Sequence, residues 1–317
     1  MSLSIIGTGS ALPARIFTNE DLSEFVEIDD EWIRTRTGIH QRHILTGDET
    51  LMQLATQAAL LALENANISA EDLDYIIVST VGGDFLTPSL ACVVQKNIHA
   101  TCPAFDLNAA CSGFIFGLDT AAALLQCGKA KRILLISADG LSRSINWEDR
   151  KTCVLFGDGA AAVVLAPGDN LLAIHLHSQG NSDILSIPFP SGNFPFRSPS
   201  SPSYLRMDGQ SVFKFAVKEI DTGISAVLDK TKIPVEKVDY ILLHQANIRI
   251  LEYAQRKLKI PLEKFLTNIA NYGNTSSVSI PLMLDLANRK KHFSPGNLLI
   301  LCAFGGGLTS GTAILRW

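Results

Sequence analysis

The chain has 317 residues, 47% hydrophobic and 18% charged: a globular protein with a large core, longer than the roughly 100 to 200 residues of one domain, so two domains or one built from two halves are expected. A formal net charge of -4 argues against sequence-independent binding to nucleic acid or to an anionic membrane. No apolar run approaches the ~20 residues that cross a bilayer, and no basic start or long apolar stretch marks a signal peptide, so a cytoplasmic protein is expected. Six cysteines, Cys92, Cys102, Cys111, Cys127, Cys153 and Cys302, include no Cys-x-x-Cys pair, which points to reduced thiols and to neither a disulfide framework nor a metal site.

A strand at residues 3–6 and a glycine-rich turn open the chain. Short helices are expected at 18–26 and 29–36, the second capped by Asp29. Asp48 is the expected cap of a longer helix with an apolar stripe of Leu51, Leu54, Ala55, Ala58 and Leu61, ending near 65–67. Residues 68–78 then lead from a loop into a continuous apolar strand, as in parallel sheets buried on both faces. In Asp106-Leu-Asn-Ala-Ala-Cys-Ser-Gly-Phe114 a short strand turns into a helix whose buried stripe is Leu118, Ala121, Ala122 and Leu125. Cys111 falls near that helix's N-terminus. Unpaired N–H groups and the positive dipole end there favour a thiolate, and can bring a cysteine pKa from about 8.5 to roughly 3.5–7.5. Free cysteines are also packed as small hydrophobes, so position alone does not decide between the two.

The phrase at 68–78 returns 165 residues later as Ile233-Pro-Val-Glu-Lys-Val-Asp-Tyr-Ile-Leu-Leu243. Ile68, Glu71, Asp74, Tyr75 and Ile76 match Ile233, Glu236, Asp239, Tyr240 and Ile241. At the same offset the apolar strand 132–138 falls on 297–303, and the helix before Ile68 has a counterpart at 208–228. So long a period excludes a solenoid. It predicts a duplicated α/β domain with mainly parallel sheets covered by helices, its halves, 1–167 and 168–317, joined near Pro167-Gly-Asp-Asn170. The Pro- and Ser-rich stretch 188–202 reads as a loop without regular structure, placed over the mouth of a site.

Pseudo-symmetric halves bring loops at matching strand ends together, so the second half is expected to supply partners for Cys111. His244 follows the strand 240–243 directly, at the C-terminal edge where ligands of open α/β sheets bind; the other six histidines lack this setting. Counting back by the repeat takes Ser276 to Cys111, so Asn274 belongs to the counterpart of the nucleophile turn, although asparagine is equally at home there as a backbone cap. In Ala303-Phe-Gly-Gly-Gly-Leu308 the glycines make either a tight turn or a close approach of backbone N–H groups to a bound carbonyl, as an oxyanion hole requires.

Asp30-Glu-Trp-Ile-Arg-Thr-Arg-Thr-Gly38, Cys111-Ser-Gly113, Phe156-Gly-Asp-Gly-Ala160, His244-Gln-Ala-Asn247, Gly273-Asn-Thr-Ser276 and Phe304-Gly-Gly-Gly307 together resemble the β-ketoacyl-acyl-carrier-protein synthase III family of the thiolase superfamily, over practically the whole chain. The resemblance implies an α/β, thiolase-like αβαβα five-layered fold of two duplicated halves. It implies a decarboxylative Claisen condensation of an acyl-CoA primer with malonyl-acyl carrier protein through an acyl-cysteine, in a homodimer that uses no cofactor. Cys111, His244 and Asn274 would be the triad, the N–H groups of Cys111 and Gly306 the oxyanion hole, and Phe304 the aromatic residue between two sub-sites. Trp32 and Arg150 would sandwich the adenine of CoA, Arg36 would contact its phosphates, and Gly209, Phe213, Ala246 and Asn247 would wall the pantetheine tunnel. Lys214, Arg249, Arg256 and Lys257 are candidates for docking the acidic carrier protein.

Two departures stand out. Thr87 precedes Pro88-Ser89 where acetyl-preferring members commonly carry phenylalanine in a stretch that crosses the dimer interface, which predicts tolerance of longer primers. Lys151 follows Arg150 where glycine is expected. Rival readings are a cysteine hydrolase using Cys, His and Asn, a catalytically idle carrier-protein binder, and a same-fold acyltransferase or condensing enzyme of specialised metabolism using a longer primer or another acceptor.

Overall fold

Strands made of unbroken apolar sequence must be covered on both faces, and this chain stacks two such sheets with helices between and outside them. The computed structural model describes residues 2–189 and 204–317; the loop expected at 188–202 lies, apart from its first two residues, outside the described residues. In the first sheet β1 (Ser2–Ala11), β2 (Tyr75–Ser79), β3 (Ala104–Leu107), β4 (Ile133–Asp139) and β5 (Gly159–Gly168) lie in the order β1-β5-β4-β2-β3. In the second, β6 (Leu171–Asn181), β7 (Tyr240–Leu243), β8 (Phe265–Leu266), β9 (Leu298–Gly305) and β10 (Gly307–Arg316) lie in the order β6-β10-β9-β7-β8. Adding five to each label turns one order into the other. In each sheet one strand, β5 or β10, runs against its four companions.

The main helices are α1 (Asp30–Thr37), α2 (Leu51–Ala66), α3 (Leu90–Asn97), α4 (Gly113–Gln126), α5 (Gly209–Thr231), α6 (Ile248–Leu258) and α7 (Ser279–Arg289). α4 and α7 fill the middle layer, where Phe114, Leu118 and Leu284 pack with Ile77 and Leu135 of one sheet and Leu242 and Leu301 of the other. α2 and α3 cover the outer face of the first sheet, and α5 and α6 that of the second. The result is the expected five-layered αβαβα fold. Close layers need small residues: a Cβ on Gly9 of β1 would come within 2.5 Å of the Ala58 carbonyl oxygen of α2.

Several local expectations are corrected. Residues 15–18 are a strand, paired antiparallel with residues 41–44, and the helix expected at 18–26 is only Asn19–Ser23, capped by Thr18. The hairpin is held by a fully buried Arg42 that donates to Val154 O (2.7 Å) and Asn19 Oδ1 (2.9 Å), partners too distant in sequence to leave a local pattern. Asp29 does cap α1. Asp48 does not cap α2; Thr50 and Gln53 do, in a reciprocal capping box.

The repeat offset also slips. Asp74 N–H donates to Arg132 O, and Asp239 N–H to Leu298 O, so the partners 132 and 298 are 166 apart while 74 and 239 are 165 apart. The strands β2 and β7 still match at 165, but the turns that follow match at 166: short 3₁₀ turns at Ala110–Ser112 and Ser276–Val278 lead into α4 and α7, each with a left-handed first residue, Ala110 (φ 47°) and Ser276 (φ 56°). The counterpart of Cys111 is therefore Ser277, not Ser276.

Candidate active site

Cys111 sits in the turn between β3 and α4, half-buried, and lines a cavity of about 1440 Å³. Asn108 Oδ1 accepts from Ala110 N–H (3.1 Å). Thr309 of β10 ties this turn to the glycine run: its Oγ1 lies 3.0 Å from Ala109 O and 2.9 Å from Gly306 O, and Ser112 Oγ is 2.8 Å from it. The backbone of Gly305 then passes so close that a Cβ there would lie 2.6 Å from the Cys111 nitrogen. Glycine is needed here for access, with no positive φ involved.

The second half contributes two side chains. His244 leaves the end of β7 with its N–H on Cys302 O (2.8 Å), its ring edge-on to Phe304 at 5.2 Å and its Nδ1 2.8 Å from Ser279 Oγ at the start of α7. Burial without a carboxylate partner pulls its pKa down to about 3, so the ring is neutral near pH 7. Asn274 is anchored by its backbone, with N–H on Leu155 O (2.8 Å) and O accepting from Gly157 N–H (3.0 Å). Its Oδ1 accepts from Ser276 N–H (2.9 Å), and the residue lines the cavity.

The thiol does not behave as its helix position suggests. Burial pushes Cys111 up to about 12; the Ser276 hydroxyl, which donates to Sγ at 3.4 Å, opposes this, and the charge of Asp139 adds to it. The direction is opposite to the lowering expected from the helix end, because the burial that the second half adds around the thiol disfavours its charged form more than the helix end favours it.

Asp139, Ser279 and Thr309 were not singled out from the sequence, and Ser276 only as the repeat's match to Cys111. Asp139, fully buried at the end of β4, accepts from Val81 N–H (2.9 Å), Ser277 N–H (3.1 Å) and the Ser277 hydroxyl (2.7 Å), and burial raises its carboxyl above the usual range. The repeat held a signal for it, since at an offset of 166 Asp139 is the counterpart of Gly305.

Of the other residues chosen from the sequence, Gly306, Phe304, Gly209, Phe213, Ala246, Asn247, Arg249 and Arg256 line the same cavity as Cys111, His244 and Asn274. Trp32, Arg36, Arg150, Thr87, Lys214 and Lys257 do not. Trp32 and Arg36 stand close by on α1, which is fastened to the start of α6 by Asn247 Nδ2 donating to Arg36 O (3.1 Å). The guanidinium over the Trp32 ring belongs to Arg36, 5.3 Å from the centroid, and Arg150 is exposed. Thr87 and Lys214 are exposed, and Lys257 lies 4.0 Å from Asp221. Among the described residues no cluster of three or more His, Cys, Asp or Glu could hold a metal ion, and no helix is long and apolar enough to cross a membrane.

The family model for 3-oxoacyl-[acyl-carrier-protein] synthase III matches residues 105–180, and the model for that family's C-terminal part matches residues 228–317. The β-ketoacyl-[acyl-carrier-protein] synthase III of Clostridium acetobutylicum is 45% identical, over 100% of this chain and 99% of its own length. That of Xanthomonas campestris pv. campestris is 42% identical over 99% and 98%. The crystal structure of 3-oxoacyl-[acyl-carrier-protein] synthase III from Aquifex aeolicus VF5 superposes with a TM-score of 0.93 at 43% identity, covering 99% of this chain and 100% of that one. The chain belongs to the 3-oxoacyl-[acyl-carrier-protein] synthase III family.

Proposed function

We propose that the chain condenses an acyl-CoA primer with malonyl-acyl carrier protein, giving β-ketoacyl-acyl carrier protein, CoA and CO2. The observation that carries this reading is the convergence of a thiol from one half with a neutral imidazole and a carboxamide from the other on one cavity. In the first step Cys111 Sγ bonds to the thioester carbonyl carbon, the oxyanion is held by the N–H groups of Cys111 and Gly306, and the C–S bond to CoA breaks, the thiol proton leaving with CoA. In the second, the C–CO2 bond of the malonyl group breaks. Its electron pair passes into an enolate whose oxygen accepts from His244 and Asn274, and the new carbanion attacks the acyl carbon. Cys111 leaves as a thiolate and regains a proton from solvent. A neutral histidine suits this task, because it can donate without carrying a charge that the cavity would have to solvate.

In the same reading Trp32 and Arg150 clasp the adenine of CoA and Arg36 its phosphates, while Gly209, Phe213, Ala246, Asn247 and Phe304 guide the pantetheine arm. Lys214, Arg249, Arg256 and Lys257 receive the acidic carrier protein. The halves 1–167 and 168–317 act as one catalytic unit of a cytoplasmic homodimer that needs no cofactor, and Thr87, reaching across the dimer, leaves room for primers longer than acetyl. Intact-protein mass spectrometry after mixing with C2 to C12 acyl-CoAs, followed by a chase with malonyl-acyl carrier protein, tests it. The expected result is loading that the chase removes and that Cys111→Ala abolishes. Loading of Cys111→Ala on another cysteine, or an acyl-enzyme that the chase cannot discharge, overturns it.

A further inference from the structure

We infer that Ser279 is a positioning residue that sets the tautomer of His244: its hydroxyl donates to Nδ1, so the ring's proton sits on Nε2 and is offered to the cavity. This rests on the reading above, in which His244 donates to the enolate oxygen, and adds what makes it a donor.

Both side chains are 1% exposed, so the contact between them is buried. The 2.8 Å contact between Nδ1 and Ser279 Oγ is compatible with either direction of donation. The balance of groups decides. A serine hydroxyl has one hydrogen, and among the described residues Nδ1 is the one acceptor that the Ser279 hydroxyl reaches. If Nδ1–H donated instead, the buried O–H would be left with no acceptor, at a cost of about 1–3 kcal/mol. Nε2 would then face the cavity as a lone pair, pointing at an oxygen that is gaining negative charge. If Ser279 donates, both groups are satisfied and Nε2–H faces the anion.

The duplication shows that this pair is not a requirement of the fold. Ser79 and Gly113 are the counterparts of His244 and Ser279, at offsets of 165 and 166. There the glycine leaves space for the serine, and a Cβ on Gly113 would run into Ser79 Oγ. The first half closes the same corner with no imidazole and no hydroxyl donor to one. The protonated ring is disfavoured as well: the ring contacts the Ser279 hydroxyl and the Phe304 ring, neither of them charged, and burial holds it neutral.

The first experiment needs no variant at position 279. NMR of the enzyme labelled with ¹⁵N-histidine, with the His244 signals assigned by their loss in His244→Asn, reads which nitrogen carries the proton. The expected result is a bare Nδ1 and a protonated Nε2; a proton on Nδ1 overturns the inference. Ser279→Ala should then shift population toward Nδ1–H, and slow discharge of the acyl-enzyme by malonyl-acyl carrier protein about 10- to 100-fold more than it slows loading. Equal slowing of the two steps, or no slowing of discharge, overturns it. The underlying reading fails separately: if His244→Asn condenses at the unmodified rate, His244 is not the donor, whatever its tautomer.

Discussion

Two turns of this molecule share one backbone and are put to opposite uses. Residues 108–113 and 274–279 each pass through a left-handed residue, make one 3₁₀ turn and enter a helix of the middle layer. In the second turn the Ser277 N–H is taken by the Asp139 carboxylate at 3.1 Å. In the first, the position equivalent to Asp139 is Gly305, whose missing side chain leaves the Cys111 nitrogen uncovered on that side. The duplication therefore produced two equivalent turns, of which one is plugged by a buried acid and the other kept bare. A thiol stands on the bare one and asparagine beside the plugged one, which on the proposed reading separates the group that is acylated from a group that polarises the incoming substrate.

Adding a methyl group at Gly305 should break this difference most severely. Gly305→Ala puts a Cβ where the Cys111 nitrogen is 2.6 Å away, so either the turn shifts or its N–H is covered. Losing one oxyanion donor typically costs about 10²- to 10³-fold in rate. Loading of Cys111 by acyl-CoA, followed by mass spectrometry, should slow by that order, while the far-UV circular dichroism stays as in the unmodified enzyme. Loading at the normal rate would mean that the Cys111 N–H plays no part.

The plug can be tested from the other side. Asp139→Asn keeps the shape but places an amide NH2 or a single oxygen against four donors, the Thr80 hydroxyl, Val81 N–H, Ser277 N–H and the Ser277 hydroxyl. At least one buried donor then loses its acceptor, at about 1–3 kcal/mol. Urea denaturation should show a lower midpoint with an unchanged slope. A midpoint that does not move would mean that the carboxylate is not what holds the second turn.

How much of this was legible in the sequence follows from how far apart the partners lie. The strand phrases at 68–78 and 233–243 carry their pattern locally, so the duplication and the layered fold could be read directly. The place of His244 was legible because it stands directly after a strand, and that of Cys111 because it stands where a strand becomes a helix, although position alone did not decide what the thiol does. Ser279, Asp139 and Thr309 are ordinary polar residues whose partners are 35, 138 and 200 positions away, and no periodicity marks them. The one-residue slip in the repeat hid the pairing of Asp139 with Gly305, since a constant offset of 165 sets other residues against each other. The thiol's acidity was misread for a related reason: the helix end is a local feature, but the burial that outweighs it comes from the opposite half.

The smallest effect expected is at Ser276, where the plugged turn reaches across to the bare one. Its hydroxyl donates to Cys111 Sγ at 3.4 Å and favours the thiolate. Because burial holds the thiol near 12, the reactive anion is a small fraction at neutral pH. The rate of alkylation by iodoacetamide should therefore climb about tenfold per pH unit between pH 7 and 10 without levelling off. Ser276→Ala removes a donor that favours the anion over the neutral thiol, so the pKa moves further up and the whole profile falls by roughly tenfold or less at each pH. A plateau below pH 8 in the unmodified enzyme would show that the helix end outweighs burial after all. A profile unchanged by Ser276→Ala would mean that the two turns touch at this point without sharing the charge.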